Sequence, residues 1–117
     1  MIGVIKVEKL INQTEVNQFL SQIEGSFPNF VAGVVCDNDG FMIGSRVPKN
    51  FHIQENAMAL SAIAGDRDFI QDPRFMKVRR DLSKKENIKL FVLLEKSNRY
   101  INRFKELNEL IEQQTLF

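Results

Sequence analysis

The stretch Phe30-Val-Ala-Gly-Val-Val-Cys-Asp-Asn-Asp-Gly-Phe-Met-Ile-Gly-Ser45 decides how the rest of the chain is read. Phe30 to Asp37 is a run of apolar and β-branched residues, too short for an ordinary helix and bounded by turn residues, which is the pattern of a buried strand. Asn38, Asp39 and Gly40 tolerate positive φ at little cost, and a second short apolar run, Phe41 to Ser45, follows them. Residues 30–46 therefore read as a β-hairpin.

Upstream, residues 14–24 set Val16, Phe19, Leu20 and Ile23 at three- and four-residue spacing, one apolar helical stripe, with Thr14 as N-cap and Gly25 and Pro28 as the stop. Downstream of Pro48, residues 52–65 place Ile53, Ala57, Leu60 and Ala64 on one helical face and end at Gly65. Met58, Ala59, Ser61, Ala62 and Ile63 leave that helix apolar or small nearly all round, so it asks for burial on two sides. Residues 73–84 fit both an alternating strand and a helix opened by Asp72 and Pro73, with strand preferred. Ile88 to Glu95 repeats the buried-strand pattern, and residues 98–114 carry Ile101, Phe104, Leu107, Leu110 and Ile111 on one stripe. Residues 1–13 precede this pattern as an N-terminal extension, either a short extra strand or a lead-in to the first helix. The expected fold is α+β, a single antiparallel β-sheet flanked by helices in the order α-β-β-α-β(-β)-β-α.

The length of 117 residues and 13.5 kDa leaves room for one domain over residues 1–117. Sixteen Lys and Arg against fifteen Asp and Glu give +1, without a global drive toward nucleic acid or an acidic membrane. One cysteine, Cys36, excludes an internal disulfide framework and fits a reducing compartment, with the cytoplasm expected. Met1 to Ile11 alternates apolar with charged residues rather than forming a signal peptide, and Leu90 to Leu94 is too short for a membrane span, so no membrane insertion is expected.

Catalytic chemistry is scarce. Asp37 to Gly40 echoes the start of a calcium loop, but the twelfth position of that frame is Pro48 and the flanking elements are strands, so a hairpin turn is the reading. His52 has Glu55 three residues on and no second His or Cys cluster to complete a metal site. Cys36 lies in a strand pattern, where a thiol behaves as a small hydrophobe. Gly40 and Gly44 lack the Lys and hydroxyl of a phosphate cradle. No cofactor or metal is expected. Residues 74–89 hold seven basic side chains against Asp81 and Glu86, a local +5, while the remainder carries −4. Such a run reads as a charged sheet edge or as a docking patch built on Arg74, Lys77, Arg79 and Arg80.

The strand-turn-strand string from Phe30 to Ser45, followed by Pro48 and a small-residue helix with Glu55, Ala57, Ala59, Ala62 and Ala64, resembles the roadblock domain of the roadblock/dynein light-chain family. The likeness covers about residues 14–112 and looks like a compact, stand-alone member of prokaryotic type. It implies a five-stranded antiparallel sheet with one helix on one face and two on the other, in a homodimer where the second helix and third strand meet their counterparts. On this chain that interface is expected at Met58, Ser61, Ala62, Gly65, Met76 and Val78. Only one strand candidate stands between the second helix and Ile88, where the family usually has two.

The resemblance implies a non-enzymatic regulator or scaffold that binds a small Ras-like GTPase, as a homodimer or with a related roadblock subunit. If it stimulates hydrolysis, an inserted arginine is the device, with Arg46, Arg79 and Arg80 as candidates. Two other readings use the same fold: a small-molecule sensor lined by some of the ten Phe, and a heterodimeric subunit of a larger assembly.

Overall fold

The computed structural model describes residues 13–63, 70, 72–100 and 102–117. The described elements are α1 (Gln13–Ser26), β1 (Phe30–Cys36), β2 (Met42–Arg46), α2 (Glu55–Ile63), β3 (Phe75–Ser83), β4 (Ile88–Glu95) and α3 (Arg103–Gln113). The four strands form one sheet in the order β2-β1-β4-β3, every neighbour antiparallel. The fold is α+β, a single antiparallel sheet with helices on both faces, as the sequence predicts. The resemblance implies a fifth strand; among the described residues there are four.

Helix α1 buries the predicted stripe, Val16, Phe19, Leu20 and Ile23, each side chain contributing about 1.5–3 kcal/mol on leaving water. It runs past Gly25 to Ser26 before Phe27 turns inward, so the glycine lies inside the last turn and does not stop the helix. Thr14 likewise falls within the helix rather than capping it. Residues 1–12, and with them most of the expected extension, lie outside the described residues, as do Ala64, Gly65 and Ile101.

The β1–β2 hairpin is closed by Asp37. Its Oδ1 accepts from the backbone N–H of Asp39 at 2.9 Å and of Phe41 at 3.0 Å, while Gly40 adopts φ +88°. That geometry is the local reason for the Asp-Asn-Asp-Gly string. Asn87 plays the corresponding part between β3 and β4 at φ 56°.

Alternation then sorts the strands into two cores. Val35, Val78, Leu82, Ile88, Leu90, Val92 and Leu94 pack under α1 and α3. Ala32, Val34, Cys36, Phe75, Phe91 and Leu93 pack under α2. Strand β4 buries side chains on both faces, which explains its unbroken apolar sequence. Within residues 73–84, ambiguous in sequence, Phe75–Ser83 form β3, at the sheet edge among the described residues, and the spacing of Phe75, Val78 and Leu82 reflects one residue buried under α2 and two under α1 and α3.

Helix α2 starts at Glu55, three residues later than predicted, and is turned differently. It spans nine residues and buries Met58, Ala59, Ser61 and Ala62 against β1 and β4, leaving Leu60 43% exposed. Of the predicted stripe, Leu60 faces outward, Ile53 and Ala57 are partly buried beside the core, and Ala64 lies outside the described residues, so the stripe is not the fully buried face. A helix that is apolar almost all round offers no periodicity from which to choose a face; the sheet chooses it.

Candidate functional site

The basic side chains of the 74–89 segment are the densest polar grouping proposed from sequence, and the structure divides them. Lys77, Arg79 and Asp81 follow Phe75 on the α2 side of β3, whereas Arg80 lies between Val78 and Leu82 on the α1 and α3 side. Arg74 precedes the strand and is committed to Asp72, whose carboxylate accepts from its backbone N–H at 3.0 Å and from Nη2 at 2.6 Å. His52 Nε2 reaches the same carboxylate at 3.1 Å, wedged against the Phe51 and Phe75 rings. The Arg74 hydrogen bonds, with help from His52, hold the Asp72 carboxyl well below the usual carboxylate range. This cluster ties the loop before α2 to the segment after it.

Arg79 is half-buried, and its guanidinium sits over the Phe91 ring at 5.3 Å to the centroid. Its Nε donates to the carbonyl of Ser61 at 2.6 Å. The last turn of α2 contains no basic residue of its own. Arg79 supplies, from the sheet, a cation at the negative end of that helix. Arg80 Nη1 donates to the carbonyl of Arg79 at 2.8 Å, and Lys89 pairs with Asp81 across the strands. Of the four predicted docking residues, Arg74 is thus consumed by Asp72 and Arg79 is fixed in place.

The six residues expected at a dimer interface are not on one outer surface. Met58, Ser61, Ala62 and Val78 are buried in the chain's own core, Met76 is half-buried on the α1 and α3 side, and Gly65 lies outside the described residues. Burial of α2 on its small-residue side is met by the sheet, so a second copy docking there would meet Leu60 and its neighbours. Ser61 Oγ is fully buried without a hydrogen-bond partner among the described residues.

Two adjoining grooves, about 540 and about 370 Å³, run along the end of β2 and the start of α2 and share Val47, Pro48 and Glu55. Arg46 Nε meets Glu24 Oε1 at 2.6 Å on their rim, and Ser45 Oγ donates to Glu55 Oε1 at 3.1 Å. Arg46, one of the candidate inserted arginines, is therefore already paired. Among the described residues no group of three or more His, Cys, Asp or Glu gathers as a metal site, and no helix is long and apolar enough to cross a membrane.

Cys36 lies wholly buried beneath α2, its thiol 3.8 Å from the Ala59 carbonyl, and burial reinforced by Asp37 pushes it up to about 11. A thiol so placed is a poor nucleophile. We expect Ellman's reagent at pH 8 to leave the native protein unmodified and to titrate one thiol once urea unfolds it; stoichiometric reaction of the native state would contradict this burial. Because the folded value lies above the ordinary thiol value of 9.0, the thiol of the unfolded chain ionises first. The thiol's contribution to stability is therefore constant below about pH 9 and falls between there and about pH 11.

Comparison with protein-family models, with curated proteins and with solved structures finds no match to this chain.

Proposed function

We propose that the protein is a non-enzymatic, dimeric scaffold of roadblock type that binds a small Ras-like GTPase. The observation that carries the reading is the arrangement of one helix, α2, over a sheet whose β3 edge is unpaired among the described residues. That arrangement leaves two adjacent surfaces, the outward side of α2 with Leu60 and the outer edge of β3, of the kind the resemblance assigns to a second copy. The bonds of Arg79 to the Ser61 carbonyl and of Arg46 to Glu24 favour scaffolding over stimulation of hydrolysis by those two side chains, since an inserted arginine needs to be free to reach a partner's nucleotide; Arg80 is the candidate left for that role.

The test is capture of small GTPases, loaded with GDP or with a GTP analogue, on the immobilised chain. Absence of binding in both nucleotide states would sink the GTPase reading. The dimer is tested separately. Leu60→Arg is expected to shift the mass by light scattering from twice 13.5 kDa to the single-chain value, raising the dimer dissociation constant at least about ten-fold, with the melting temperature of the monomer little changed. An unaltered dimer would remove α2 from the interface.

A second reading, a small-molecule sensor, is favoured by the grooves beside Val47 and Glu55, whose lining mixes apolar residues such as Val47 and Pro48 with about as many polar ones. A ligand bound there should raise the melting temperature in proportion to the logarithm of its concentration.

A further inference from the structure

Among the described residues, two arginines adjacent in sequence stand at the sheet edge without carboxylate partners. Arg79 and Arg80 are both half-buried, and the hydrogen bonds of both guanidiniums go to backbone carbonyls, of Ser61 and Arg79. Among the described residues neither meets an acid. The acid nearest in sequence, Asp81, is taken by Lys89. The end of α2 and the Phe91 ring offset part of the Arg79 charge, but neither half-buried guanidinium has a counter-charge among the described residues, which is unfavourable, and this pair is placed where only one kind of partner can serve both. Being consecutive residues of a strand, they point to opposite faces of the sheet. A lipid surface, a nucleic-acid backbone or a helix laid on the sheet meets one face alone. A strand running alongside the edge meets both.

We propose that the outer edge of β3 accepts, by strand addition, an extended acidic segment of another protein, with two adjacent carboxylate residues meeting Arg79 on one face and Arg80 on the other. The backbone of β3 supplies the hydrogen bonds and the two guanidiniums supply the selection. Lys84 and Lys85, exposed at the turn beyond the strand, add attraction at longer range. A second copy serves the pair less well. In a two-fold antiparallel pairing of β3 with itself, opposed residues are related by the axis. An axis at Arg79 sets Arg79 against its own image, and an axis at Arg80 does the same to Arg80. Self-pairing thus compensates at most one arginine, while an acidic segment compensates both.

The inference needs only the single-chain fold and competes with a second copy for the edge. Its test is fluorescence anisotropy of the full chain with a short labelled peptide of alternating Thr and Val around a central Asp-Glu pair. Binding is expected to weaken about ten-fold when that pair is replaced by Asn-Gln, to weaken as salt rises, and to vanish when the edge-facing amides are N-methylated. Arg80→Gln should reproduce part of the Asn-Gln loss without disturbing α2, and Arg79→Gln is read beside its melting curve because it also removes the bond to Ser61. Equal affinity for both peptides, equal affinity for the N-methylated one, or loss caused by Lys84→Gln and Lys85→Gln but not by Arg80→Gln would overturn the proposal. So would binding to phosphatidylserine vesicles with none to the peptide. Light scattering on the same samples reads the dimer independently: a monomer that binds the acidic peptide keeps this inference and defeats the dimer, and a dimer indifferent to the peptide does the reverse.

Discussion

Ala62→Arg is expected to unfold the protein rather than merely separate two copies of it. Ala62 is 7% exposed on the sheet-facing side of α2, packed in the cluster that contains Met58, Cys36, Phe91 and Leu93. An arginine there has no carboxylate within its cluster, and its stem must displace side chains that already fill the space. The combined cost of overpacking and of an unpaired buried charge is on the order of 4 kcal/mol or more, a large share of the ~5–15 kcal/mol that holds a domain of this size. Chemical denaturation should show the midpoint collapsing, with loss of the cooperative transition at 37 °C. A variant that keeps its wild-type midpoint would mean that α2 lies on the sheet by another face. Comparison with Leu60→Arg, two residues away and outward, separates a fold effect from an interface effect within the same helix.

How far this could be seen in the sequence depends on what each residue's neighbours had to be. Strands β1 and β4 are legible because burial on both faces demands unbroken apolar runs, and the Asp-Asn-Asp-Gly turn is legible because only those residues meet its backbone needs. α1 and α3 are legible because one wet face and one dry face impose a period; Leu107 is buried on α3 and Phe104, Leu110 and Ile111 pack beside it. Helix α2 is legible as a helix but not in its rotation, since nearly every face is apolar.

The site is less legible still. The charge of 74–89 is plain in the composition, yet what each cation does is decided by partners remote in sequence: Arg79 by a carbonyl eighteen positions away, Lys89 by Asp81 across the register. No local pattern separates a cation held in place from one left over. One signal was present: two consecutive arginines in an alternating strand must fall on opposite faces, so no single covering layer can serve both.

Gly44 is the position where a small change should have an effect second only to Ala62. Its glycine, which the sequence places in the second strand of the hairpin and excludes from a phosphate cradle, has a packing reason to be there. A Cβ added to Gly44 would lie 2.6 Å from Val16 Cγ1 and 2.8 Å from Asn17 Oδ1, both on α1. The first is the packed flank of a β-branched side chain with few rotamers to escape into. The second is the acceptor that takes the backbone N–H of Ser45 at 3.2 Å. Moving Asn17 breaks that bond, and moving Val16 lifts α1 from β2. Gly44→Ala is therefore expected to destabilise by about 1–3 kcal/mol, and Gly44→Val by more. The enlarged side chain does have a relieving partner: Val16→Ala combined with Gly44→Ala should recover part of the loss, a coupling that two independent defects would not show. Strict additivity of the pair in urea melts would mean that α1 approaches β2 less closely than the fold described here requires, and the close seating of α1 on the glycine would have to be abandoned.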